Sequence, residues 1–154
     1  MELAGILREG RSALGHGQPP AKVISWDEMW TYVGARRREV RQERWIWTAV
    51  VEEEDGGTWT DTEVGDRSEE TFLKLYNRLP EAARHVSNGY VVYDLLPANR
   101  HVIGKGLEAN RNEGRHSALR DKLNRLHRGT KGYSKSEEAL RGSVALICLQ
   151  QAWI

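Results

Sequence analysis

Three runs rich in aromatic and β-branched residues limit the folds that this sequence can adopt. They occupy residues 22–34 (KVISWDEMWTYVG), 44–53 (RWIWTAVVEE) and 58–65 (TWTDTEVG). Such residues favour strands, and in the third run polar and apolar residues alternate with a period of about two. The arginine-rich segment after the first run and the Asp-Gly-Gly before the third favour hairpin turns. The sequence therefore predicts three consecutive antiparallel strands.

A helix is predicted directly after these strands, over residues 66–80. Ser68 is a suitable N-cap, Glu69 and Glu70 fall in the first turn, and Pro80 follows the end. Its apolar residues share one face: Phe72, Leu75, Tyr76 and Leu79.

The remaining elements alternate between strand and helix. Residues 85–93 are predicted as a strand running into a turn, 100–104 as a short strand, and about 108–128 as a long basic helix. Ser134 followed by Glu137 has the pattern of a capping box and predicts the start of a last helix. Strands that first meander and then alternate with helices predict an α/β fold, with a mixed sheet covered by helices.

The composition suits one domain built around a single core. The chain has 154 residues, of which 39% are hydrophobic and 29% charged. No apolar run approaches the length of a membrane span, and the first 20 residues lack the hydrophobic core of a signal peptide. The single cysteine, Cys148, lies in an apolar run and is expected to be a buried thiol, and the histidines and cysteine show no zinc spacing. An intracellular protein is expected.

Charge is distributed unevenly, although the net charge is only +1. Residues 84–131 carry ten Lys or Arg against four Asp or Glu, a balance of +6. A second basic cluster at residues 35–45 contains five arginines: Arg36, Arg37, Arg38, Arg41 and Arg44. Contact with a polyanion and simple solvation of a charged face are both compatible with these patches.

Two carboxylates and one amide stand out as candidate site residues. Asp27 lies within an aromatic strand, where burying a carboxylate is costly. Alternatively, Asp27 faces solvent on a polar side of the strand, as Ser25 or Glu28 could. Asn88 precedes Gly89, and an Asn-Gly pair is a turn signal that is explained without any catalytic role. Asn88 also follows the end of a predicted strand, where α/β folds present functional groups.

The second carboxylate, Glu113, heads a polar stripe of the predicted basic helix. Ser117, Arg120 and Asn124 continue this stripe, about a quarter-turn from the leucine stripe. An isolated helical acid is usually solvated, but acids from separate segments can also hold Mg²⁺ near a phosphodiester.

Six blocks of the sequence resemble, in order, the transposases of the insertion-sequence-one family (the InsB type). They read WDEMWTYVG, RWIWTAV, VGDRSEETFLKLYNRL, VSNGYVVYDLLP, HVIGKG and NEGRHSALRDKLNRLHRGTKGYSKSEE. The resemblance implies an α/β fold of the RNase H-like type, in which three antiparallel strands and then parallel additions form a mixed sheet flanked by helices. It also implies a DDE triad that binds Mg²⁺, with Mn²⁺ as an alternative, in a two-metal site for DNA strand cleavage and transfer. Residues 22–154 would form this catalytic domain, after a helix and linker at 1–21.

Carried over by position, the triad falls on Asp27, Asn88 and Glu113. The second aspartate of the family precedes a Gly-aromatic pair, which Gly89 and its neighbour match here; Asp94, further on, is a poor substitute. An amide keeps the shape of the carboxylate but not its charge, so the chain as written is expected to bind DNA and to cleave it slowly or not at all.

Three explanations for Asn88 stay open. We favour a deliberate substitution that traps a DNA complex. Natural decay or domestication is the second, and the third is a site that works with fewer carboxylates, with Asn88 merely a turn residue.

The resemblance also implies double-stranded DNA as partner and a homodimer or larger homo-oligomer. The expected phosphate contacts are Arg36, Arg37, Arg38, Arg115, Arg120, Lys122, Arg125 and Arg128. A prokaryotic, cytoplasmic, nucleoid-associated protein is expected, without a membrane partner, and without the zinc-binding and helix-turn-helix region that full-length relatives carry. Two rival functions stay open: a non-catalytic DNA-binding module derived from a transposase, and a structure-specific RNase H-like nuclease. The tryptophans of the first two strands are expected in the core rather than as base-stacking platforms: Trp26, Trp30, Trp45 and Trp47.

Overall fold

The computed structural model describes residues 20–35, 39–104 and 134–151. Within these ranges the chain forms five strands and two α-helices, with two 3-10 turns at Val91–Leu95 and Ala98–Arg100. In chain order the elements are β1 Ala21–Val33, β2 Gln42–Glu53, β3 Thr58–Gly65, α1 Glu69–Tyr76, β4 Ala82–Ser87, β5 His101–Ile103 and α2 Glu137–Gln151. No helix of the described ranges is long and apolar enough to span a lipid bilayer.

The five strands form one mixed sheet in the order β3-β2-β1-β4-β5. The β1–β2 and β2–β3 pairs are antiparallel, and the β1–β4 and β4–β5 pairs are parallel. The predicted arrangement, an antiparallel meander followed by parallel additions, is therefore confirmed. Strand β1 is central, so its side chains are covered from both faces of the sheet.

Helix α1 covers one face of the sheet. Ser68 is its N-cap, as predicted, and its hydroxyl accepts a hydrogen bond from the backbone N–H of Thr71. Phe72 lies on the face of this helix that packs on the sheet. Its ring centroid is 5.1 Å from that of Trp26 and 5.9 Å from that of Trp47. These rings belong to the larger hydrophobic cluster, and burial of such large apolar surfaces is the main stabilising term of the fold.

Helix α2 covers the opposite face. Because successive side chains of a strand alternate, Met29 points away from α1 and packs with Leu140 and Val144 of α2 in a second buried cluster. Cys148 joins this cluster with 7% of its surface exposed, which confirms the predicted buried thiol.

The last helix begins two residues later than its N-cap prediction requires. Helix α2 starts at Glu137, and its N-cap is Ser136, whose hydroxyl accepts a hydrogen bond from the backbone N–H of Ala139 at 3.1 Å. The predicted cap, Ser134, instead accepts the backbone N–H of Gly34 with its backbone carbonyl at 2.8 Å. This serine is thus fixed to the end of β1, and the next serine in the sequence caps the helix.

The prediction for residues 85–93, a strand running into a turn, is confirmed, although the strand begins earlier, at Ala82. Strand β4 ends at Ser87, and Gly89 adopts a left-handed φ of +86° that turns the chain out of the sheet. A 3-10 turn follows at Val91–Leu95, where the Tyr93 N–H donates to the carbonyl of Tyr90. The basic helix predicted over 108–128 lies outside the described residues.

The four tryptophans divide into two pairs. Trp26 and Trp47 are buried, as predicted, with 2% and 0% of their surface exposed. Trp30 and Trp45 are only half-buried, and each has an arginine side chain over its ring.

Candidate active site

The parallel register of β1 and β4 brings two of the three predicted triad residues together. Ser25 pairs with Val86 near the end of the described ladder. Two residues further along both strands, Asp27 and Asn88 lie side by side, and the Asn88 side-chain N–H donates to Asp27 Oδ1 at 3.1 Å. Glu113, the third predicted residue, lies outside the described residues.

The side-chain amide of Asn88 has one orientation that satisfies both of its partners. Its Oδ1 accepts the backbone N–H of Tyr90 at 2.9 Å, while its Nδ2 faces the carboxylate of Asp27. The reverse orientation would oppose two donors on one side and two acceptors on the other. Asn88 is thus both a turn residue and a direct partner of Asp27, so the two interpretations of this residue do not exclude each other.

The carboxylate of Asp27 is half-buried and oriented from its own strand. The same Oδ1 that Asn88 contacts also accepts the backbone N–H of Glu28 at 2.9 Å. The prediction that Ser25 and Glu28 could mark a solvent-facing side of β1 is wrong, since they are only 3% and 9% exposed. Glu28 instead points into the aromatic cluster beneath helix α1, where Tyr93 binds it.

A small polar cluster supports the turn that carries Asn88. Ser87 Oγ accepts the backbone N–H of Gly89 at 3.1 Å and lies 2.7 Å from His101 Nε2. Burial lowers the pKa of His101, while the negative charge of Asp94 acts in the opposite direction. The imidazole is therefore held towards its neutral form at the back of the turn.

Sequence reasoning missed a second group beside the pair. Glu28, next to Asp27 in the chain but on the opposite face of β1, binds the guanidinium of Arg67 at 2.6 Å. Its other carboxylate oxygen accepts the phenol of Tyr93, also at 2.6 Å. The available signal was an acidic residue inside an aromatic strand, but nothing in the sequence indicates which distant cation and hydroxyl would satisfy it.

The described pair does not supply the ligands of a two-metal site by itself. Hard cations such as Mg²⁺ prefer several anionic oxygens, and in the part of the chain that the structure describes the pair contributes the single carboxylate of Asp27. The oxygen of Asn88 is turned towards the Tyr90 N–H, and its nitrogen cannot bind a cation. Among the described residues no three His, Cys, Asp or Glu side chains form a metal-binding group. An aspartate at position 88 would place a second carboxylate against the first.

The predicted DNA-contact residues all lie outside the described ranges: Arg36, Arg37, Arg38, Arg115, Arg120, Lys122, Arg125 and Arg128.

The fold and the site together define a class. An antiparallel meander extended by parallel strands, with an aspartate on the central strand beside the end of β4, is an α/β arrangement consistent with an RNase H-like fold. Residues 22–148 match the family described as IS1 transposase, and the chain belongs to that family. The match confirms the resemblance noted from the six sequence blocks. No curated protein matches the chain.

Proposed function

We propose that the chain is the catalytic domain of a DDE-type DNA transposase whose site is impaired by Asn88. In this proposal the ancestral activity is Mg²⁺-dependent cleavage and transfer of DNA strands at transposon ends. The observation that carries it is the contact between Asp27 and Asn88, two residues 61 positions apart that the family resemblance assigns to one triad. Membership of the IS1 transposase family supports the same assignment.

Each triad residue has a distinct role in this proposal. Asp27 and Glu113 bind the divalent cation, and Asn88 stands where a second aspartate would complete the ligands. When bound, Mg²⁺ or Mn²⁺ would activate the attacking oxygen and stabilise the leaving oxygen of a phosphodiester. Asp27 is ready for this role, because the Glu28 N–H holds its carboxylate in one orientation. The side-chain N–H of Asn88 instead donates a hydrogen bond to the Asp27 carboxylate and partly stabilises its negative charge.

The proposed partner is double-stranded DNA, bound through its phosphates. Residues 84–131 carry a balance of +6, and residues 35–45 contain five arginines, so both segments favour a polyanion. We also propose a homodimer or larger assembly, since two DNA ends must be joined, and a cytoplasmic, nucleoid-associated location. The proposed domain covers residues 22–154, preceded by a helix and linker at 1–21.

Restoring the carboxylate tests the proposed chemistry. The variant Asn88→Asp is expected to nick and join duplexes that carry transposon ends in the presence of Mg²⁺ or Mn²⁺, while the chain as written binds the same duplexes with little or no cleavage. The double variant Asn88→Asp, Asp27→Asn moves the amide to the other member of the pair and should be inactive. Cleavage by this double variant, or by samples treated with a chelator, would contradict the assignment.

A non-catalytic DNA-binding module is the second candidate function. It is favoured by the same hydrogen bond, because an amide that satisfies Asp27 makes the pair stable without any cation. If Asn88→Asp binds transposon-end DNA with unchanged affinity and still cleaves nothing, this function replaces the first. Equal cleavage of defined-end and random duplexes would instead indicate a structure-specific nuclease.

A further inference from the structure

The loop that carries Asn88 is held from the side opposite to Asp27. Tyr90 follows Asn88 by two residues, and its ring centroid lies 3.8 Å from the guanidinium carbon of Arg67. The same guanidinium carbon lies 4.3 Å from the ring centroid of Trp45. The phenol of Tyr90 also donates a hydrogen bond to the backbone carbonyl of Arg67 at 3.2 Å. Tyr90 is therefore fixed by a stacked contact and a hydrogen bond to one residue.

Arg67 is in turn fixed to the strand that carries Asp27. Its ion pair with Glu28 is short, at 2.6 Å, and the Glu28 side chain is only 1% exposed. Burial, and then the charge of Glu28, raise the pKa of the Tyr93 phenol well above its ordinary value, so the phenol keeps its proton and donates a hydrogen bond to Glu28. A buried carboxylate with two such partners is costly to displace. The guanidinium consequently has a defined position over β1.

These contacts close a ring around the site. Asp27 is bonded to Glu28 in the backbone, Glu28 forms the ion pair with Arg67, and the guanidinium of Arg67 stacks on the ring of Tyr90. The backbone N–H of Tyr90 holds Asn88, whose amide returns to Asp27. We propose that Arg67 is a positioning residue that sets the 88–90 loop against β1 and thereby fixes the approach of position 88 to Asp27. Its consequence for cation binding rests on the proposed function.

The alternative is that Arg67 only neutralises the buried charge of Glu28. The variant Arg67→Lys separates the two roles, because lysine keeps the charge but has no planar group to stack on the rings of Tyr90 and Trp45. Arg78 offers a matched control. Its side chain is 43% exposed against 39% for Arg67, and it pairs with Glu63, whose side chain is 9% exposed. Within the described residues Arg78 stacks on no aromatic ring.

Amide exchange measured by NMR on the full chain tests the positioning role without any metal. Arg67→Lys is expected to speed exchange of the Tyr90 backbone amide by about tenfold, since the loop opens locally. It should also shift the side-chain amide resonances of Asn88. Arg78→Lys should leave both signals unchanged. The variant Tyr90→Leu removes the stacked ring while the Glu28 ion pair remains, and it should shift the Asn88 side-chain signals in the same way. Unchanged Asn88 signals in both Arg67→Lys and Tyr90→Leu, or an equal change in Arg78→Lys, would overturn the proposal.

A second measurement extends the test to cation binding. In the Asn88→Asp background, Arg67→Lys is expected to weaken Mn²⁺ binding by about tenfold, as the loss of an outer-shell partner typically does, while Arg78→Lys has no effect. Equal Mn²⁺ affinity with and without Arg67→Lys would contradict the positioning role at the cation site. If Asn88→Asp binds no Mn²⁺ although Arg67 is intact, the proposed function fails, and the exchange experiment still decides the positioning role.

Discussion

Replacing Asn88 with aspartate should lower the stability of the fold in the absence of a cation. Adding Mg²⁺ should restore that stability. The structure places the amide nitrogen 3.1 Å from Asp27 Oδ1, so the substitution exchanges a charge-assisted hydrogen bond for the contact of two carboxylates. The backbone N–H of Tyr90 can still bind the new side chain, so the turn itself is preserved. The change therefore isolates the interaction between positions 27 and 88.

The magnitude follows from two contributions. Loss of a hydrogen bond to a charged acceptor costs about 1.5 kcal/mol, at the low end because Asn88 is exposed. Two like charges about 4 Å apart repel by about 1 kcal/mol in a water-like dielectric. A destabilisation of about 2.5 kcal/mol corresponds to a drop in Tm of about 5–10 °C for a chain of this size. Mg²⁺ at about a hundred times its Kd would return about 2.7 kcal/mol, which offsets the loss.

Thermal unfolding with and without Mg²⁺ is the assay, and Asn99→Asp is the matched control. Asn99 is also exposed and lies in the second 3-10 turn, so its substitution adds the same charge away from Asp27. We expect Asn99→Asp to change Tm little and to show no response to Mg²⁺. Two results would contradict this expectation: Asn88→Asp unfolds in a chelator at the same temperature as the unsubstituted chain, or Mg²⁺ leaves the Tm of Asn88→Asp unchanged.

Three further predictions concern the supports of the site and the fold. In urea unfolding, Gly89→Ala should lower stability by about 1–2 kcal/mol, because φ is +86° there and a Cβ would lie 3.2 Å from Ile103 Cδ1. Gly142→Ala, in open space on α2, should instead raise stability by about 0.5–1 kcal/mol. Ser136→Ala should cost about 1 kcal/mol through loss of the α2 cap. Ser136→Thr, which keeps a hydroxyl at the cap, should cost less, and equal losses would contradict the capping assignment. The pKa of His101 in the folded chain lies below its ordinary value of 6.5, so the unfolded chain binds the proton more readily and stability should fall as pH drops below about 6.5. His101→Gln should reduce that fall. An unchanged pH profile of stability in this variant would contradict the role given to His101.

The order of strands and the first helix could be predicted from local patterns. Aromatic and β-branched runs with short turn signals define β1 to β3, and Ser68 with its acidic neighbours defines the start of α1. The capping of α2 was not decided locally, since Ser134 and Ser136 both precede acidic residues. The choice depends on the backbone bridge between Ser134 and the end of β1, which is a tertiary contact.

The site was predictable only in part. Asp27 and Asn88 were paired through the family resemblance, because a parallel register between strands 61 residues apart leaves no periodic signal in the sequence. The Glu28, Arg67 and Tyr93 group was missed for a related reason. A buried acid can be suspected from its apolar neighbours, but its partners come from segments 39 and 65 residues away.

If residues 27, 88 and 113 surround a bound cation, as proposed, a paramagnetic ion bound there should broaden the NMR signals of all three segments. In ¹⁵N NMR spectra of the Asn88→Asp variant, substoichiometric Mn²⁺ should broaden the backbone signals around residues 27, 88 and 113 first and together. The chain as written should need far more Mn²⁺ for the same effect. Broadening that spares residue 113, or that begins elsewhere in the variant, would contradict the account.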